Sequence, residues 1–235
     1  MDAPLDAAPP TPRTAPTGAE SGQLPWGLVL AALVSGLWAL TLGSSLVRPF
    51  AAMSAAEVAL RLVLQTWLYT GLFITAHDAM HGTVAPGRPR LNDAVGTVAV
   101  GLYALFPYAT LKSEHRLHHQ HPAASGDPDW HGGTHTGFVR WYLRFVGHYV
   151  RWAQVVGMAV VFNVLAHGLG VGQANLIVLW VLPSLLSTVQ LFYFGTYLPH
   201  REAGAPFRDH HRARSNDYGA FASLVSCFHF GYHWE

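Results

Sequence analysis

The chain has 235 residues, 51% of them hydrophobic and only 11% charged, with a mean hydropathy of +0.22 and a formal charge of +1. Soluble domains carry roughly 25% charged residues, so this composition excludes an ordinary soluble enzyme. The single cysteine, Cys227, excludes an intramolecular disulfide and a four-cysteine iron–sulfur cluster. Scattered basic residues without a recognition motif point away from nucleic acid.

Residues 1–23 are rich in Pro, Ala and Thr, lack apolar periodicity and read as a disordered tail. Asp2, Asp6 and Glu20 stand where a signal peptide needs basic residues. The remainder, 24–235, reads as one membrane domain. Leu24 to Val47 has no charged residue over 24 positions, enough to cross a bilayer as a helix, and Arg48-Pro49 ends it. A second span, from about Ala55 to Ala76, carries His77-Asp-Ala-Met-His81 at its far end. Residues four apart share a helical face, so His77 and His81 can address one atom.

After a Gly/Pro/Arg loop (82–92), Ala94 to Leu111 forms an uncharged run of 18 residues containing Gly96, Gly101 and Pro107. His115-Arg-Leu-His-His119 follows at once. A full crossing here would put the two histidine boxes on opposite sides, so the run is expected to be re-entrant and broken near Pro107. His115 shares a face with His118 or His119, and the third imidazole looks sideways. Neutral imidazoles are strong ligands for transition metals. Five from two segments exceed what one tetrahedral zinc needs, so a site with two metals is expected.

Asp127-Pro-Asp-Trp-His131 is a turn signal. Phe138 to Trp152 mixes Arg140, Arg144 and Arg151 with aromatic residues, the pattern of an interfacial helix. Trp152 to His200 has no charged residue over 49 positions, with Gly168, Gly170 and Gly172 mid-way, and reads as a hairpin of two spans. It would return His200 to the box side, which makes His200 a candidate ligand. His148 and His167, in apolar surroundings, read as core residues. His121, His131 and His135 read as bystanders of a polar loop, and His210 and His211 as surface residues. Tyr218 to Trp234 carries His229 and His233, four apart and expected on one helical face.

The expected fold is therefore an all-α integral membrane protein with about four crossings in two hairpins, plus interfacial and re-entrant helices. Eleven of the 14 Lys and Arg then lie on the histidine side: Arg88, Arg90, Lys112, Arg116, Arg140, Arg144, Arg151, Arg201, Arg208, Arg212 and Arg214. The positive-inside tendency makes that side cytoplasmic.

His77 to Gly82 (H-D-A-M-H-G), His115 to His119 (H-R-L-H-H), Asp127 to His131 (D-P-D-W-H) and His229 to Glu235 (H-F-G-Y-H-W-E) together resemble the bacterial β-carotene ketolases, a branch of the membrane fatty-acid desaturase and hydroxylase superfamily. The resemblance implies a non-haem di-iron oxygenase of the bacterial inner membrane, with two Fe ions and O2 as co-substrate. Its expected reaction converts ring C4 methylenes of β-carotene to ketones by two hydroxylations, giving echinenone and canthaxanthin, and takes zeaxanthin towards astaxanthin. The expected metal ligands are His77, His81, His115, His118, His119, His200, His229 and His233. Asp78, Glu114, Asp127 and Asp129 are expected to orient ligand imidazoles through their second nitrogen. The family's third box is H-x-x-H-H, and His233-Trp-Glu is only its opening, so a C-terminal truncation is expected. No dinucleotide fingerprint is present, which implies an external electron donor such as a ferredoxin with its reductase. A carotenoid ring hydroxylase or an acyl-lipid desaturase shares the same boxes. A metal transporter or membrane haem carrier is the reading from another class; the clustering of histidines at span ends on one side speaks against transport.

Overall fold

The computed structural model describes residues 26–201, 207, 212–215 and 217–231; the expected N-terminal tail, His210, His211 and His233 lie outside them. Regular structure among the described residues is entirely helical. The first hairpin pairs α1 (Trp26–Val47) with α2 (Ala55–His81). The Ser54 hydroxyl accepts the Glu57 N–H at 3.2 Å, capping α2. The Glu57 carboxylate in turn accepts from Arg48 and Arg61, each at 3.0 Å, and Arg61 reaches Ser44 and Ser45 of α1. Charges inside an apolar hairpin are thus paired and hydrogen-bonded, the condition under which they are tolerated.

Gly82, at φ 79, ends α2 by turning its N–H back onto Ala79 and Asp78. The following loop is pinned by buried Asn92, whose amide donates to Ala85 and Arg88 carbonyls and accepts the Ala85 N–H. Then α3 (Pro89–Ala104) and α4 (Tyr108–Gln120) meet at 103°. The break expected near Pro107 falls at Leu105–Pro107, because a residue before proline is driven out of the helical region. The Tyr108 ring folds onto Gly96, where a Cβ would sit 2.1 Å from it.

Helix α5 (Phe138–Tyr149) bends by 84° into α6 (Trp152–Asn163), which continues as a π turn through Gly168. After the Gly170 turn, α7 runs from Gln173 to His200 over 28 residues. Two π segments interrupt it, Ile177–Val181 and Phe192–Tyr197, just ahead of Pro183 and Pro199. A proline lacks an N–H and its ring collides with the carbonyl four residues back; widening the preceding turn relieves both.

The shared core is aromatic. Trp38 of α1, Tyr69 of α2 and Tyr103 of α3 pack edge to face at 5.5 Å, with Leu176, Trp180 and Leu191 of α7 around them. At one end of the bundle the Asn175 amide donates to the Ser45 and Arg48 carbonyls, joining the turns of both hairpins. The histidines of α2, α4 and α7 gather at the opposite end. Helices α1, α2 and α7 are each long and apolar enough to cross a membrane, and the total reaches five if each bent pair counts as one span. Exposed Leu30, Leu33 and Leu40 on α1 and Leu60 and Val63 on α2 give these helices an apolar exterior.

The C-terminal expectation needs correction. Helix α8 spans only Ala220–Cys227; Phe228 (φ 50) and His229 (φ 65) are both left-handed. The chain turns there because the Phe228 ring stacks on Trp67 at 4.2 Å and seats against Gly71. His229 therefore stands outside the helix, while position 233 lies outside the described residues.

Candidate metal centre and cavity

The C-terminal turn of α2 sets His77 and His81 side by side, with ring centroids 4.7 Å apart. Helix α4 brings His115 and His119 onto them. His115 Nε2 lies 2.8 Å from His81 Nε2 and 3.1 Å from His119 Nε2. His77 packs against His115 at 4.6 Å, and the ligating atoms of His77, His81 and His115 fall within 4.8 Å of one another. Imidazoles this close cannot all be protonated, since like charges at such range repel. Neutral nitrogens about 3 Å apart match ligands sharing one transition-metal ion through bonds of roughly 2.0–2.1 Å. The donor set fits a metal.

His118 is the sideways imidazole of the second box. Its Nδ1 donates to the Asp127 carboxylate at 3.0 and 3.1 Å. Asp127 also accepts the Ala123 and Asp129 N–H groups at 2.7 and 2.8 Å, and is buried. Its acceptor capacity is spent on holding the turn and one imidazole. The ring of His118 lies 5.0 Å from that of buried His200, whose Nδ1 donates to the Arg212 carbonyl at 2.8 Å. In both histidines the Nδ1 bond makes Nε2 the lone-pair nitrogen. The histidines thus form two adjacent groups, His77, His81, His115 and His119 in one and His118 and His200 in the other.

The remaining acids divide. Asp78 accepts from His77 Nδ1 at 3.2 Å. Asp129 accepts the Tyr149 hydroxyl at 2.5 Å and lies 3.6 Å from His118 Nδ1. Burial pushes the Asp129 carboxyl above its ordinary pKa, against the opposing pull of His118. Glu114 takes His148 Nε2 at 3.1 Å, not a box histidine. His148 is correspondingly no core residue: its side chain is 39% exposed, because the corner between α4 and α5 sets it beside that carboxylate. His131 departs from the loop reading, being buried edge-on against Trp141. His121 and His135 remain at the surface, and His167 is exposed at the end of α6.

A cavity of about 610 Å³ runs from the box histidines into an apolar interior walled by Phe73, Tyr103, Phe106, Phe145, Leu191 and Phe230. His229 and Asp129 also line it. Tyr149 and Thr196 are cavity residues that the sequence reading missed. Neither belongs to a box, and only the corner at α5 and the π turn in α7 bring them in.

The family profile described as Fatty acid desaturase matches residues 52–172. A "Beta-carotene ketolase" from a Paracoccus species is 48% identical over 171 residues, covering 72% of this chain and 69% of that relative. A "Beta-carotene ketolase" of Haematococcus lacustris is 40% identical over 77% of this chain and 58% of its own length. A "Zeaxanthin 4-ketolase" of Chlamydomonas reinhardtii is 38% identical over 86% of this chain and 46% of its own. No solved structure matches the chain significantly. The chain belongs to the fatty acid desaturase family, in its β-carotene ketolase branch.

Proposed function

We infer that the chain is a carotenoid 4-ketolase, acting on β-carotene and related carotenoids drawn from the bilayer. The observation that carries this reading is the junction of convergent imidazoles with an aromatic-walled cavity, in a chain whose relatives are named ketolases. Residues 24–235 form the catalytic domain in this reading. His77, His81, His115 and His119 would hold one iron and His118 and His200 a second, with His229 and His233 as further candidate ligands from the C-terminal segment. Two bound irons would supply the O2 activation needed to cleave the allylic C–H bond at C4.

The protein's own part is positioning. Asp78 and Asp127 fix the tautomers of His77 and His118, and Tyr149 holds Asp129 beside them. The apolar walls exclude water that would waste the oxidant and orient a β-ionone ring with C4 towards the imidazoles. Electrons come from an external donor such as a ferredoxin system. Exposed Arg90, Arg116, Arg140 and Arg144 at the histidine end suit an acidic partner. The same charge bias supports four crossings, with the metal centre on the cytoplasmic face of the bacterial inner membrane.

Pigment analysis in bacteria that make β-carotene tests the reading, using the chain as it stands and a version extended through a complete H-x-x-H-H. Echinenone and canthaxanthin from either version are expected. Unchanged β-carotene from both, with protein in the membrane and donor supplied, would overturn it.

A further inference from the structure

A ketone requires two oxidations at the same carbon. Each consumes one O2, two electrons and two protons from the external reductant, puts one oxygen on C4 and releases the other as water. The resulting geminal diol then loses a third water to give the ketone. Between the two rounds the ring carries a 4-hydroxyl, and an enzyme that releases it stops at the alcohol. Something in the cavity has to favour the hydroxylated ring.

The cavity's hydroxyl groups narrow the choice. Thr83 donates to the Asp78 carbonyl, Tyr103 to Ser184 and Ser187, Tyr149 to Asp129, and Thr188 to the Leu185 carbonyl. Thr196 lines the same cavity, is 6% exposed and has no hydrogen-bond partner among the described residues. Its place is defined by its neighbours. Gly195 touches the Phe230 ring, which lies 4.8 Å from the His77 ring. His200, four residues further on, faces His118. Thr196 thus stands on the wall of the cavity that the box histidines also line. It sits in the π segment Phe192–Tyr197, a local distortion that often marks functional positions.

We propose that the Thr196 hydroxyl donates a hydrogen bond to the oxygen placed on C4 by the first hydroxylation, retaining the 4-hydroxy ring for the second. This rests on the ketolase reading above. A hydroxyl open to the cavity that donates to the intermediate's new oxygen favours the hydroxylated ring over the ring that offers it no acceptor.

Two measurements test the assignment, using the parent chain, the isosteric Thr196→Val and the conservative Thr196→Ser. In detergent, binding of β-carotene and of a 4-hydroxylated β-ring carotenoid is titrated by visible absorption. The parent and T196S should prefer the hydroxylated ring, and T196V should lose about 3–10-fold of its affinity for that ring alone, as expected for one hydrogen bond. In β-carotene-making bacteria, T196V should shift products from ketone to 4-hydroxy carotenoid, T196S should restore the ketone, and iron content per chain should match in all three. Equal affinity of the parent and T196V for the hydroxylated ring overturns the proposal whatever the pigments show. Preference for that ring in a parent that forms no ketone sinks the ketolase reading and leaves the Thr196 contact standing.

Discussion

Asp127 shows how much one side chain can organise. Its carboxylate takes the His118 imidazole and two backbone N–H groups, so the same group closes the 121–130 turn and sets the tautomer of His118. Asp127→Asn keeps the volume but replaces one acceptor oxygen by a donor that must confront an N–H. Affinity for the iron at His118, titrated with Fe(II) and read by elemental analysis, and ketocarotenoid yield should fall by about 10–100-fold, the usual cost of losing an imidazole's supporting partner. Full iron loading in this variant would reduce Asp127 to a turn residue. The histidines and Asp127 were legible in the sequence because box spacing maps directly onto a helical face and Asp-Pro onto a turn. Tyr149 and Thr196 were not, since each reaches the cavity through a tertiary corner or a π turn that helical periodicity does not encode. His148 misled for a related reason: apolar neighbours in sequence said nothing about Glu114, which lies 34 positions away.

At the scale of elements, the C-terminal segment is held by two notches. Phe228 seats against Gly71 of α2 and Phe230 against Gly195 of α7, where an added Cβ would meet the ring at 2.7 and 2.0 Å. Glycine is required at both positions for the space it leaves, not for its backbone freedom. Gly195→Ala should displace Phe230 and destabilise the protein by about 1–3 kcal/mol, as overpacking does. Gly101→Ala, also inside a helix but with nothing within 4 Å of its Cβ, should be neutral or stabilising through helix propensity. Unfolding temperatures in detergent compare the two; equal values would mean that Phe230 is not packed against α7. The spans and the break at Pro107 were legible from apolar run length and proline. The early end of α8 was not, because the pull on Phe228 comes from Trp67 and Gly71, about 160 residues earlier in the chain.

For the molecule as a whole, sidedness is the open physical variable. Both hairpin turns meet at the Asn175 end, so the loops near 52 and 173 should share one side of the membrane and the 82–92 loop the other. The only native cysteine, Cys227, is fully buried, leaving a low background for thiol labelling. Ala52→Cys and Gln173→Cys should react with an impermeant maleimide on intact spheroplasts, and Arg90→Cys only after permeabilisation. Labelling of Arg90→Cys from outside would place the metal centre away from the cytoplasm and remove the argument for a cytoplasmic donor. Charge bias predicts the same arrangement independently of packing, because it depends on loop composition alone.

The cavity opens from one cluster of imidazoles at one end of the bundle. A bicyclic carotenoid has two rings, some 18 conjugated carbons apart on the order of a bilayer's thickness. One site can work on only one end at a time, so the molecule has to withdraw, turn over in the lipid and present its other ring. On the ketolase reading the singly modified pigment would therefore be a free membrane solute, with a lifetime set by lateral diffusion and recapture, and every other enzyme in the same membrane could compete for its untouched end.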